Sequence, residues 1–332
     1  MLDLCRVFIL NSYFTDLTLP FLVFSALLLT AIKLTFARFF ASGIDLEGIC
    51  KATPSYTGFI GLDAVLCPLV DFFSVVLKSP EGSSYLHYAF GISLPLLLLP
   101  TFEAYRPHQS RILKYPALWF LLSQFITIGA AISLYWFVFI MVGSPHKSRN
   151  SSSKLYTQAE AEALVFGLIM GGVIPSVAML MLDDHIIIAL WQLYPIYLAV
   201  AESAHLFIRP SSRYPQSGFI TLRVLFFAIF ILSSSTHIST IWPLINDWNQ
   251  LKALLLPSLT PLSSNIAAAF HYLDFLKWDI TIAYASTALA TLWLVENKKQ
   301  LFAIALWYTL AIPILGFGAA VTGVALWRND FL

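Results

Sequence analysis

Long apolar stretches separated by short polar ones set the pattern of this chain. A helix rises about 1.5 Å per residue, so about 20 mostly apolar residues cross a bilayer core. Nine stretches meet or approach that length: roughly 17–38, 58–77, 85–102, 115–142, 163–182, 186–208, 219–242, 276–296 and 300–326. The pattern predicts an all-α fold, a polytopic transmembrane helical bundle of about nine spans, because only helices satisfy the backbone inside so apolar a chain. The stretch 249–272 differs. Pro257, Ser258, Pro261, Ser263, Ser264 and Asn265 interrupt it, which predicts a re-entrant or interfacial segment rather than a tenth span. The N-terminus lacks a signal-peptide layout: Asp3, Cys5 and Arg6 precede a short apolar run, then come Asn11 and Asp16, so the first span is expected to stay. Residues 1–332 read as a single integral membrane domain, with no soluble domain and no internal repeat.

Composition agrees. Of 332 residues, 58% are hydrophobic and 11% charged, too few polar groups to cover a soluble surface. That excludes an ordinary cytosolic enzyme and a disordered protein. The net charge of +1 leaves no footprint for nucleic acid. The three cysteines, Cys5, Cys50 and Cys67, have no metal-site or CxxC spacing, so neither a disulfide framework nor a zinc site is expected. On the nine-span pattern the basic residues divide ten against nine, and the positive-inside rule barely decides orientation. The polar loop 143–162, with His146, Lys147, Arg149 and Lys154, favours the cytosol; its Asn150-Ser151-Ser152 sequon would then stay unmodified.

Ionisable residues at membrane depth are expensive and therefore mark function or pair with a partner. Asp63 and Asp71 lie in the second stretch, within 61–73, GLDAVLCPLVDFF. Eight residues place them about 80° apart on a helix, so both can border one cavity, with Cys67 between them. Each could instead pair with a Lys or Arg of a neighbouring helix. Glu103 and Arg106, in 99–107, LPTFEAYRP, share a face. They form either an interfacial ion pair or a carboxylate at a cavity mouth with its positioning cation. Glu202 and His205 share a face and read as a proton relay or an internal hydrogen bond. Asp279 follows Lys277 and Trp278 and either serves chemistry or answers a helix dipole. His237 and His271 read as structural, and Asp183, Asp184 and His185 as a solvated turn. Aromatics make up 15% of the chain; Trp136, Trp191, Tyr194, Tyr284 and Trp293 are too deep for interfacial belts alone, so some can line a cavity and stabilise a cation. DDxxD, DxDD, HExxH, GxSxG and Walker patterns are missing, so magnesium-diphosphate ionisation is not expected.

Four stretches in this order resemble the fungal integral-membrane terpene cyclases of meroterpenoid pathways, and within them the branch that closes farnesylated phenols, of the ascofuranone and macrophorin type. They are 61–73, with Gly-Leu-Asp and Phe-Phe; 103–106, EAYR; 189–195, ALWQLYP; and 275–279, FLKWD, running into an apolar helix with Trp293. The resemblance implies a lipophilic prenylated aromatic or polyketide substrate, often with a terminal epoxide. The enzyme protonates the prenyl chain and lets an alkene or oxygen capture the cation. A carboxyl group buried among apolar walls can supply the proton, and a dry cavity protects the cation, so neither cofactor nor metal is expected. Asp63 and Glu103 are the leading acid candidates, with Arg106 orienting Glu103 or the substrate. Asp279 and Glu202 come second. Asp71, Tyr105, Trp191, Gln192 and Trp278, on the same motifs, are candidates for holding substrate. The expected setting is membrane lipid of the endoplasmic reticulum. The rivals are a transporter of a hydrophobic metabolite, using the same carboxylates for proton coupling, and a non-catalytic scaffold.

Overall fold

The computed structural model describes residues 18–45, 48–50, 55–106, 109–142, 156–295 and 297–329. Cys5 and the Asn150 sequon lie outside them. Among the described residues the regular elements are all helical, apart from one isolated bridge between Thr157 and Ser217. The helices are α1 (Leu19–Ala41), α2 (Ile60–Lys78), α3 (Pro80–Ala104), α4 (Pro116–Ile126), α5 (Ile128–Met141), α6 (Gln158–Leu182), α7 (His185–Trp191), α8 (Tyr194–Ile208), α9 (Phe219–Ile241), α10 (Trp248–Leu255), α11 (Ala268–Leu292) and α12 (Lys298–Asn329). Six are long and apolar enough to cross a membrane: α1, α2, α3, α6, α9 with its continuation to Leu244, and α12; the bent pair α7–α8 raises the number to seven. In α11 Asp274, Lys277 and Asp279 interrupt an apolar run of similar length.

Side-chain contacts give the helix directions. Lys277 lies over the Tyr85 ring and the Tyr284 hydroxyl donates to the Ile92 carbonyl, so α11 runs parallel to α3. Phe226 packs on Phe102 and His237 meets Tyr88, so α9 runs antiparallel to α3. The Pro80 and Ala104 ends of α3 therefore name the two ends of the bundle.

Two of the nine expected spans turn back on themselves. In 115–142, the rings of Trp119 and Tyr135 stand 5.6 Å apart. Sixteen residues of straight helix would separate them by about 24 Å. The reversal is at Thr127, φ 74°, between α4 and α5. In 300–326, the Trp307 indole donates to the Ala320 carbonyl at 2.8 Å, thirteen residues on, where straight helix would give about 20 Å. This reversal is at Gly316, φ 87°, and the returning limb brings Arg328 to Glu103 at the Ala104 end. Nine straight spans are therefore not what forms. Hydropathy counts apolar residues along the chain and is blind to a reversal made by one residue's dihedrals.

Gly316 has two reasons to be glycine. Its positive φ disfavours a side chain, and an added Cβ would stand 2.7 Å from Nδ1 of His237. His237 holds the turn: its Nε2 donates to the Pro313 carbonyl at 3.3 Å, which leaves Nδ1 to accept from the Tyr88 hydroxyl at 2.9 Å. Gly316→Ala is expected to lower stability by more than about 1 kcal/mol, visible as a lower thermal midpoint in detergent; an unchanged midpoint would show that the turn is not under this constraint.

Helix α2 is apolar enough to cross but packs along the Pro80 end. Asp71 and Phe72 meet Tyr272, near the start of α11, and Lys78 leads directly into α3. One turn earlier, Cys67 is disulfide-bonded to Cys50. That corrects the expectation that the cysteines would not pair: their spacing carries no signal, and the fold brings them together across 17 residues of sequence.

Within 249–272 the only regular element before Ala268 is the eight-residue α10. Arg38 donates to the carbonyls of Ser258 and Leu259 at 2.6 and 2.7 Å, Trp278 donates to Ser258, and Lys277 to Ala253. Asp274 accepts from the Ser258 amide at 2.5 Å. Side chains of α1 and α11 thus satisfy backbone groups that an unwound stretch would otherwise leave bare.

Candidate active site

A cavity of about 590 Å³ lies between α1, α2, α3, α6, α7, α11 and the tip of the α4–α5 hairpin. Apolar packing builds most of its wall, with Phe39, Phe72, Phe73, Phe90, Trp191 and Phe275 contributing rings. Trp191 is edge-on to Phe73 at 4.9 Å and to Phe90 at 5.4 Å, and its indole N–H donates to Ser176 at 3.0 Å, which fixes the ring. Ring faces fixed in this way can stabilise a cation in a water-poor space.

Asp279 is the only carboxylate among the described residues lining this cavity. It lies in mid-helix, 5% exposed, and receives the start of another helix. The Gly129 amide donates to Oδ1 at 2.6 Å and the Ile128 amide to Oδ2 at 3.2 Å. The first amides of a helix have no partner within it, so the reversal at Thr127 aims two orphan donors at one carboxyl group. A β-branched residue at positive φ is strained, by about 1–3 kcal/mol, and is found where surrounding structure holds it for a purpose. The helix-dipole reading of Asp279 is thus half right, since the dipole belongs to α5 and not to its own helix.

Of the other sequence candidates Trp191 lines this cavity, and the remainder are not brought to it. Asp63 sits at the exposed start of α2, accepting from Ser55 Oγ at 2.5 Å, from the Thr57 amide and hydroxyl at 2.8 Å and from the Gly58 amide at 3.2 Å. It ties the preceding loop to the helix. The expectation that Asp63 and Glu103 share a cavity is corrected: α2 lies along one end of the bundle and Glu103 lies at the other. Asp71 accepts from the Tyr272 hydroxyl at 2.8 Å, and no ion pair engages it among the described residues.

Glu103 is 3% exposed and held between two arginines, with Arg106 Nε at 2.8 Å from one oxygen and Arg328 Nη1 at 2.6 Å from the other. The Arg106 pairing follows from the i,i+3 spacing. Arg328, 225 residues away, arrives only because α12 folds back. Glu202 packs against Gly167, where an added Cβ would stand 2.4 Å from its Cγ. It accepts from the Tyr105 hydroxyl at 3.1 Å. Burial first, and then Glu202, hold the Tyr105 phenol well above the usual tyrosine range, so it stays a donor. Glu202 and His205, which share a face and read as a relay or an internal hydrogen bond, do not bond each other: His205 and Arg209 reach Glu162 instead, at 3.3 and 2.9 Å. Gln192 is buried at the bend between α7 and α8, and no hydrogen bond from the described residues engages its side-chain amide. Trp278 faces Arg38 and the 258 carbonyl, outside the cavity lining.

Sequence reasoning passed over His87, which lines the cavity; it stands alone in an apolar run without motif spacing. No group of three or more potential metal ligands occurs among the described residues.

Comparison with known proteins places these features. A family model described as "CtvD domain" matches residues 46–332. The chain is 26% identical over 317 residues to "Terpene cyclase ascI" of Acremonium egyptiacum, covering 86% of this chain and 82% of that protein. It is 24% identical over 299 residues to "Terpene cyclase ctvD" of Aspergillus terreus, covering 80% and 82%. No solved structure matches.

Proposed function

The chain belongs to the CtvD-domain family, and on that footing we propose that it is a terpene cyclase that protonates the prenyl chain of a farnesylated phenol or related polyketide and closes a ring. The carrying observation is the cavity, in which aromatic walls surround one carboxyl group, that of Asp279 on α11, held by amides of the α4–α5 hairpin tip. The names of the two relatives support the reaction class.

In this reading Asp279 is the acid. Its O–H bond breaks and the proton goes to a terminal epoxide oxygen or alkene carbon. The charge left behind falls where the amides of Ile128 and Gly129 already point, so no reorganisation is needed at the moment of transfer. The substrate cation meets ring faces such as those of Phe73, Phe90 and Trp191 until an internal alkene or oxygen captures it. A proton leaves at the end, and substrate and product are isomers. Glu103, Arg106 and Arg328 form the ionic clamp that closes the α12 hairpin, and Tyr105 and Glu202 brace α3 against α8. The proposed setting is the endoplasmic reticulum membrane, where a lipophilic substrate concentrates.

Purified protein in detergent, given a farnesylated phenol and its terminal epoxide, is expected to form an isomer of equal mass. Turnover is expected to survive EDTA, since the sequence has no paired aspartate motif to hold magnesium. No isomer from either substrate, or loss of activity to EDTA with recovery on adding magnesium, would overturn the reading.

A further inference from the structure

A ring closure begun by one proton ends by releasing another, so the cavity needs an acceptor as well as a donor. Among the described lining residues the titratable side chains are Asp279, His87 and Tyr194. A tyrosine phenol is a poor proton acceptor near neutrality. His87 sits on the second turn of α3, with an exposed ring whose Nδ1 lies 2.8 Å from the Ser83 carbonyl. A carbonyl only accepts, so Nδ1 carries the hydrogen. Nε2 is left with a lone pair, and no hydrogen bond from the described residues engages it.

We propose that His87 is the terminating base. When the last cation forms, a neighbouring C–H bond breaks, its electron pair becomes the new double bond and the proton goes to Nε2. When a substrate hydroxyl captures the cation instead, the C–O bond forms and the O–H proton goes to Nε2. The imidazolium then gives up that proton and the Asp279 carboxylate takes one up, so each turnover returns both groups to their starting state and no oxidant or co-reactant is needed. This assignment rests on the cyclase reading. It separates donor from acceptor: Asp279 is pre-arranged for losing a proton and His87 for gaining one.

The test uses the full-length protein in detergent with the substrate epoxide. Wild type is expected to give one main isomer. His87→Ala is expected to lower turnover about a hundredfold, or to replace the main product with other isomers and water-trapped product, and added imidazole is expected to restore both rate and product. His87→Gln, which keeps bulk and polarity, should resemble His87→Ala without imidazole. An unchanged rate and product in His87→Ala, or no rescue by imidazole, overturns the assignment while leaving the cyclase reading intact. No isomer from wild type overturns the cyclase reading itself, and this assignment with it.

We also infer that the Pro80 end of the bundle faces an oxidising lumen and the Ala104 end faces the cytosol. The observation is a different one, a disulfide and a charge distribution on the folded chain. Cys50–Cys67 lies one helical turn from Asp71, at the Pro80 end, and disulfides persist in oxidising compartments. Read as nine spans, the basic residues split evenly, but the two hairpins and the placement of α2 re-sort them. Arg106, Arg111, Lys114, Arg209 and Arg213 lie at the Ala104 end, together with Arg223, Lys298, Lys299 and Arg328. The Pro80 end carries Lys33, Arg38, Lys78, Lys252 and Lys277. Met141 and Tyr156, which flank Lys147, Arg149 and Lys154 in the sequence, both lie at the Ala104 end. Basic residues gather on the cytosolic side, so the charge bias and the disulfide agree on one orientation.

In intact microsomes Asn150 is expected to remain unglycosylated, whereas an Asn-Ala-Thr acceptor inserted between residues 43 and 56 is expected to be modified. Cys50 and Cys67 should resist maleimide until the protein is reduced. Glycosylation at Asn150, or free alkylation of both cysteines without reductant in the folded protein, would overturn the orientation.

Discussion

Asp279→Asn is expected to lower turnover by at least about a hundredfold, the low end of what general acid catalysis contributes. The substitution keeps shape and one acceptor oxygen for the Gly129 amide, and it removes the proton that can be given away. Its amide NH₂ also replaces an acceptor opposite the Ile128 amide, so some loosening of the hairpin tip is expected. The measurements that separate the two effects are single-turnover rate and thermal midpoint: chemistry predicts a large fall in the first with a small fall in the second. Asp63→Asn is the contrast, since Asp63 ties a loop outside the cavity and its loss should leave most of the turnover. If Asp279→Asn keeps turnover within a few-fold of wild type, Asp279 is not the acid, and Glu202 becomes the next carboxyl group to test.

Glu103→Gln is expected to act through folding. Glu103 is the shared partner of Arg106 and Arg328, and removing one member of a buried ionic cluster leaves the rest uncompensated, at about 3–5 kcal/mol. The loss should appear as a markedly lower thermal midpoint, and as weaker protection of the α12 return limb from proteolysis or hydrogen exchange. Turnover should fall only as far as the folded fraction falls. A variant with an unchanged midpoint and a hundredfold lower turnover would return Glu103 to the list of acids. Arg106→Lys should destabilise less than Arg106→Ala, because the i,i+3 pairing needs a cation above all.

The family pattern carried over onto this chain in an instructive way. Three of its four stretches hold charged residues, and the fold gives the stretches different tasks. In 61–73 Asp63 holds a loop and Asp71 takes a phenol, while Phe72 and Phe73 line the cavity. In 189–195 Trp191 supplies a wall. In 275–279 Lys277 and Trp278 pin the 249–259 stretch, and Asp279 faces inward.

What the sequence alone determined is the material of the fold. Apolar runs of helical length, with few charges to solvate a surface, leave helices in a membrane as the only way to satisfy the backbone. The proline-broken 249–272 stretch and the i,i+3 pairing of Glu103 with Arg106 are likewise local, because both follow from spacing on one helix or from residues that cannot continue one. The tertiary structure decided the rest. Two reversals, at Thr127 and Gly316, are made by single dihedrals that hydropathy does not register, and they turn expected spans into hairpins. One hairpin carries the amides to Asp279 across 150 residues of sequence, and the other carries Arg328 to Glu103 across 225. Cys50 and Cys67 pair across 17 residues of sequence, and His87 lines the cavity because of the helix that carries it. An isolated charge has the same sequence signature whether it ties a loop, clamps a hairpin or faces a substrate; its task is set by what the fold places within about 3 Å of it.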